Sequence, residues 1–330
     1  MTIFNEGITE TSNIVLVIIL VVVILLILTN QFLLFIESRR YRPIGRMINT
    51  KNGKLHVYTR KSKIENSPTY VFLNAMGGGS SYFDFKMIWE PLTKQQASIV
   101  TIDYLGYGMS ENTKAERTLD NIVEEIETVL YKLDLPEPYI FITHSLGGFY
   151  VTGFALKNPE KITALIMIDN TPPEIPLVDS TDFEMMKKLR FPFRFLQFTG
   201  LIRLKRQNNV PWLTKKEAKA FIYFSNKKRF SNTIMDEVKR TPENARLLIN
   251  KIVSDNIPIF MLLSNKTEAM SDKSWKQTWV DFHKMNLNNH EKSRLEMLNT
   301  SHYIHWDDPD AVLIKITDFI STIQSPMSIN

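Results

Sequence analysis

Ile142–Thr143–His144–Ser145–Leu146–Gly147–Gly148 decides how this chain reads. The stretch closes an apolar, β-branched run, Tyr139–Thr143, and opens a helical pattern. A nucleophilic serine on a sharp strand-to-helix turn needs small neighbours on either side, because larger side chains would collide with sheet and helix. Gly147 and Gly148 meet that need on the far side, while Thr143 stands where glycine is usual. The placement aims the partial positive charge of a helix N-terminus at Ser145. A serine that merely caps a helix would read the same way, so other features must decide.

Two such features exist. Leu73–Asn74–Ala75–Met76–Gly77–Gly78–Gly79–Ser80–Ser81 follows an earlier strand-like run. A glycine-rich loop there can turn backbone N–H groups toward a developing oxyanion. The expected donors are the N–H of Leu146, next after the serine, and that of Met76. Near the C-terminus, Thr300–Ser301–His302–Tyr303–Ile304–His305 follows the last strand-like run. A histidine at that place can reach a serine at the top of a sheet, and His302 and His305 are both candidates for a general base.

Working outward, short apolar runs recur at Leu55–Thr59, Tyr70–Asn74, Ser98–Asp103, Ala164–Asp169, Pro258–Leu263 and Leu295–Asn299. Several are almost uniformly apolar, as strands buried on both faces are. Helical patterns lie between them, clearest at Leu119–Leu133 and Ala311–Ile323. The alternation predicts an α/β fold, a mostly parallel, eight-stranded type of sheet with helices on both faces. Residues 171–250 break the pattern. They open with Thr171–Pro172–Pro173, hold no convincing strand, and are too long for a connection. They read as a helical cap inserted between core segments 37–170 and 251–330.

These motifs, in this order, resemble the α/β-hydrolase superfamily over roughly residues 50–325. The resemblance rests on Gly77–Gly79, on Asp103–Tyr104–Leu105–Gly106–Tyr107–Gly108–Met109–Ser110, on His144–Gly148, and on Ser301–His302 with Trp306 and Pro309. It implies a Ser-His-acid triad in which His302, not His305, is the histidine, and it implies that residues 171–250 cover the site. The sequence departs from the family's pattern at Asn74–Ala75, where His-Gly is usual, and at Ser264–Asn265–Lys266–Thr267–Glu268, where the acid's turn carries threonine at the expected place. Glu268, one residue on, is the first candidate for the acid. Asp169, at the end of the preceding strand, is the second, and a triad without an acid is the third reading. Serine as nucleophile sets the chain apart from the dehalogenases and epoxide hydrolases of this superfamily, which use aspartate.

Ile14–Ile36 contains an unbroken apolar run, Ile14–Leu28, then Thr29–Asn30–Gln31 and Phe32–Ile36. At about 1.5 Å per residue, such a stretch crosses a hydrocarbon core of about 30 Å. Residues 1–13 carry Glu6 and Glu10 and no Lys or Arg, unlike a cleaved signal peptide, whereas Arg39, Arg40, Arg42 and Arg46 follow the run. The expectation is an uncleaved single-pass anchor at 14–36, with a short extracytoplasmic segment at 1–13 and the rest in the cytoplasm.

The chain of 330 residues carries a net +5 and no cysteine, so disulfides, thiolate metal sites and cysteine catalysis are excluded. Met185–Phe230 holds thirteen Lys or Arg and one acid, Glu217, a net +12 that leaves −7 for the rest. Aromatic residues, among them Phe191, Phe195, Trp212 and Phe221, are interleaved with it. An ordinary cap with a solvated basic face has this composition, and so does a cap held against an anionic leaflet. Nucleic acid is not expected as a partner, since no nucleic-acid-binding pattern accompanies the charge. No spacing suggests a metal or other cofactor. The sequence therefore predicts a membrane-tethered serine hydrolase that cleaves a carboxylic ester of a small or lipid-like acyl compound. An acyltransferase using the same triad, and a catalytically silent binding protein that keeps the fold, are the alternatives.

Overall fold

The computed structural model describes residues 2–77, 79–204, 210–266 and 273–324. Its centre is one eight-stranded sheet. The strands are β1 (Arg46–Thr50), β2 (Gly53–Arg60), β3 (Thr69–Leu73), β4 (Ser98–Ile102), β5 (Tyr139–His144), β6 (Ile162–Ile168), β7 (Ile259–Ser264) and β8 (Arg294–Leu298). Their order is β1-β2-β4-β3-β5-β6-β7-β8. The two joins at β1–β2 and β2–β4 are antiparallel, and every later join is parallel. Strands β3, β4, β5 and β7 are buried at every position, so both faces of the sheet are covered, as their unbroken apolar runs require.

The helices are α1 (Thr2–Arg40), α2 (Ser81–Asp84), α3 (Lys86–Lys94), α4 (Leu119–Leu133), α5 (Gly147–Lys157), α6 (Ile175–Val178), α7 (Thr181–Thr199), α8 (Lys215–Lys228), α9 (Asn232–Leu248), α10 (Lys273–Met285), α11 (Ile304–Asp307) and α12 (Pro309–Gln324). Helix α4 covers the residues its periodicity predicts. Thr118 accepts a hydrogen bond from Asn121 N at its start, and Asp134 ends it in the left-handed region. Strand β1 has no counterpart in the expectation. Its one buried residue is Ile48, and it sits at the sheet edge with a polar sequence.

Two compact units divide the chain. One comprises residues 1–42 and 185–210; the other comprises 43–184 and 211–330. The inserted segment 171–250 is thus shared between them. In the first unit, α1 is long and apolar enough to cross a membrane over Asn13–Arg40, with little of it buried. In the second, α9 joins the sheet layer through buried polar contacts. The Tyr107 hydroxyl donates to Glu237 Oε1 at 2.7 Å, and the Tyr150 hydroxyl donates to the same oxygen. Arg117 forms a bidentate pair with Glu125 at 2.7 and 2.9 Å, and Asn244 bridges the backbone of Arg117 and Leu119. These directional pairings fix where α9 docks.

Burial raises the Glu237 carboxyl above its ordinary range, against the lowering effects of Arg117 and the two tyrosine hydroxyls. The native state therefore keeps a proton after the unfolded chain, at about 4.3, has lost its own. This contribution to stability is present at low pH and is lost as pH rises through the folded value. Glu237→Gln, which still accepts from both tyrosines, should flatten that part of the decline. Thermal unfolding of both proteins from pH 5 to 8 checks it: the variant's advantage should grow with pH, and a constant difference would contradict it.

Candidate active site

The site forms where β5 ends. Ser145 sits between β5 and α5 with φ +51°, a left-handed conformation that costs a non-glycine residue about 1–3 kcal/mol. The surroundings hold it there. Its N–H donates to Ile168 O at 3.2 Å, and its carbonyl accepts from Gly148 N at 3.0 Å and Thr171 N at 3.1 Å. A Cβ on Gly147 would lie 2.9 Å from Leu73 O, and one on Gly148 would lie 2.8 Å from Asn170 Cβ. The two glycines are thus demanded by β3 and by the end of β6. Thr143, where glycine is usual, is wholly buried in β5.

Asp169 follows β6, also left-handed at φ +39°. Its side chain is fully buried. Oδ1 accepts from Ser264 N at 3.0 Å, and Oδ2 lies 2.7 Å from His302 Nδ1. Since the carboxylate accepts, His302 carries its proton on Nδ1 and leaves Nε2 bare. Asp169, second choice on sequence grounds, is thus the carboxylate on His302, while Glu268 lies outside the described residues. The physical reason lies at the end of β6: Asp169, the next residue, turns left-handed and its carboxylate meets Ser264 N of β7 and His302 in the loop after β8.

His302 is partly exposed, whereas His305 is fully buried and stacks on Phe85. His305 is therefore shut off from any substrate. His144 donates from Nε2 to the His302 carbonyl at 3.0 Å, so the residue before the serine holds the loop that carries the histidine. Burial above all, with a smaller effect from the neighbouring imidazoles of His302 and His305, pushes His144 well below the usual histidine pKa, so it is neutral. Donor atoms of Asp84, His144 and His305 lie within 4.8 Å of one another, the one group among the described residues that could hold a metal. The His305 Nε2 to Asp84 Oδ1 distance is 3.6 Å. A buried water with three partners fits such a gap as well.

Leu146 stands at the N-cap of α5, so its N–H points outward from the helix start. Met76 lies in the loop after β3, and Leu73 at that strand's end pairs with Thr143 of β5. Asn74, in the place of the usual histidine, closes the glycine loop: its Nδ2 donates to Gly79 O at 2.7 Å and its Oδ1 accepts from Ser81 Oγ at 3.0 Å. Thr171 is a residue that sequence reasoning took only as the start of the insertion. Its hydroxyl lies 3.4 Å from Ser145 Oγ, the hydrogen-bond partner of that oxygen among the described residues. Asp103 has a structural place: its carboxylate accepts from Ser81 N and Met109 N and pairs with His56. Aromatic rings gather beside the site. Trp306 stacks on Tyr303 at 4.4 Å, and Trp212 and Phe221 of the insertion lie 5.4 and 6.3 Å from Trp306.

The alpha/beta hydrolase fold family matches residues 68–309. The chain is similar to the uncharacterized protein YqjL of Bacillus subtilis (strain 168), 24% identical over 266 residues that cover 79% of this chain and 87% of that protein. It is 28% identical to the (lyso)-N-acylphosphatidylethanolamine lipase of Bos taurus over 131 residues, 38% of this chain and 37% of the lipase. Among solved structures, the epoxide hydrolase VrEH1 of Vigna radiata superposes with a TM-score of 0.66 at 14% identity, covering 84% of this chain and 98% of the other.

Gly147→Ala should lower stability by about 1–3 kcal/mol, the usual cost of overpacking, because its methyl group meets the β3 backbone rather than a movable side chain. Thermal unfolding beside Gly77→Ala is the check. Gly77 has open space around its Cβ position and a φ of +129°, so its substitution reports backbone strain alone.

Proposed function

The chain belongs to the alpha/beta hydrolase fold family, and from that premise we propose that it is a serine hydrolase of carboxylic esters or related acyl compounds. One observation carries the proposal: the 2.7 Å contact between Asp169 Oδ2 and His302 Nδ1, which leaves His302 Nε2 as a base on the loop held beside Ser145. In the mechanism, the Ser145 hydroxyl turns from Thr171 toward His302 and gives it a proton while Oγ attacks the substrate carbonyl. The tetrahedral oxyanion takes hydrogen bonds from the N–H groups of Leu146 and Met76. His302 then protonates the leaving alcohol, and an acyl ester remains on Ser145. Water, deprotonated by His302, attacks that ester and releases the acid. Asp169 stays ionised throughout and stabilises the imidazolium.

A lipid-like acyl chain suits the site because aromatic side chains, Trp306, Tyr303, Trp212 and Phe221, stand next to the His302 loop. The apolar helix α1 supports a membrane setting, and Arg39, Arg40, Arg42 and Arg46 after it favour a single-pass anchor with the hydrolase unit on the cytoplasmic side. Similarity to a lipase of N-acylphosphatidylethanolamines, over part of each chain, points the same way.

Labelling of the full-length chain in detergent with a fluorophosphonate tests the proposal. Wild type should label. Ser145→Ala should not label, and His302→Ala should label far more slowly. Asp169→Asn should lower ester turnover by about 10³–10⁴, as loss of the triad acid does, while Glu268→Gln leaves it unchanged. The reverse pattern would move the acid to Glu268. A folded wild-type protein that resists labelling would overturn the hydrolase and leave a binding protein with this fold.

A further inference from the structure

Within the first unit, a cluster of polar contacts joins α1 to the end of α7. Asn30 lies in the apolar helix α1, is 3% exposed, and has every side-chain group satisfied. Its Nδ2 donates to Gln197 O and Phe198 O, each at 3.0 Å. Those carbonyls belong to the last turn of α7, where helical carbonyls run out of intrahelical donors, and Gln197 O also accepts from Gly200 N at 3.3 Å. Its Oδ1 accepts from Arg203 Nε at 2.9 Å, and the Arg203 guanidinium forms a bidentate pair with Glu37 at 2.7 and 2.8 Å. Gly200, at φ +80°, lets the chain turn here, since a Cβ would sit 2.9 Å from Asn30. The anchor therefore caps the C-terminus of α7.

The rest of the segment is unlike a soluble surface. Leu189, Phe191, Phe195, Phe198 and Leu204 are exposed, Phe191 and Leu204 by 82% and 81%. Lys187, Lys188, Arg190 and Arg194 lie among them, and no acid occurs from Met185 to Lys216. Exposed aromatic and aliphatic side chains among basic ones suit an element lying in the interface of an anionic bilayer. The latch gives the depth. Glu37 is three positions before Arg40, and Asn30 is ten, about 15 Å along a helix at about 1.5 Å per residue. That range runs from the headgroups to the start of the acyl chains. An asparagine and a glutamate are tolerated there because α7 and Arg203 satisfy them.

We propose that residues 185–204 form a second membrane element, seated in the headgroup–acyl boundary of an anionic leaflet and locked to the anchor by Asn30, Glu37 and Arg203. The proposal rests on the reading of α1 as a membrane anchor. Within the basic insertion it assigns lipid contact to the stretch that groups with the anchor.

The absence of native cysteine allows single labels. Leu20→Cys, Phe191→Cys, Phe195→Cys and Tyr131→Cys, each in the full chain, would carry an environment-sensitive fluorophore. The proteins would be reconstituted in phosphatidylcholine vesicles with and without about one-third phosphatidylglycerol, the anionic surface that attracts Lys and Arg. Relative to the solvent-exposed label at Tyr131, those at Phe191 and Phe195 should be shielded several-fold from a water-soluble quencher, more so with phosphatidylglycerol. A Leu20 label should be shielded in both. If Leu20 is shielded but Phe191 and Phe195 quench like Tyr131, the second element is overturned and the anchor stands. If Leu20 itself quenches freely, the anchor reading fails and this proposal fails with it. Adding Arg203→Ala or Asn30→Leu should reduce the shielding at Phe195, and unchanged shielding would overturn the latch.

Discussion

The site depends on a backbone constraint, the left-handed residue between β5 and α5. Ser145 adopts φ +51° only because β3, the end of β6 and the start of the insertion close around it. The neighbouring strand repeats the device, since Asp169 leaves β6 at φ +39°. Two adjacent parallel strands thus end in left-handed residues, one presenting a hydroxyl and the other a carboxylate. The parallel register Thr143↔Met167 and His144↔Ile168 sets the two turns side by side. Strain of this kind persists only where packing over-determines it, and here the sheet supplies the packing.

A dry polar layer supports the histidine. His144 grips the His302 backbone, and His305 and Asp84 are buried beside it. Their low exposure keeps the imidazole of His144 neutral, so its single N–H is committed to the His302 carbonyl. The arrangement orients the His302 loop through a neutral group.

Much of this was legible in the residues. The seven runs each became a strand, and β3, β4, β5 and β7 were plainest because strands buried on both faces write themselves as unbroken hydrophobic sequence. Helix α4 was legible to the residue through its apolar stripe. Strand β1 was not, since an edge strand with one buried residue leaves no such signature. The choice between Glu268 and Asp169 was open because it depends on the direction of one side chain after a turn, which composition does not encode. The division of the insertion was also hidden. Its residues 185–210 group with α1, where Asn30, read only as part of the polar step Thr29–Gln31, and Glu37, just past the apolar stretch, meet Arg203. Thr171 was missed because nothing in a Thr-Pro-Pro opening signals a hydroxyl aimed back at the serine.

The pairing of Asn30 with Arg203 has a consequence in time. The two residues stand 173 positions apart. At about 5–20 residues per second, synthesis separates their appearance by roughly 10–35 seconds. Helix α1 must form and settle first, with its asparagine and glutamate lacking their later partners. The run Ile14–Leu28 is apolar enough to stand alone during that interval. The contact closes only when more than half the chain has been made, so its formation marks the moment at which the stretch around Arg203 and the N-terminal helix first become one unit.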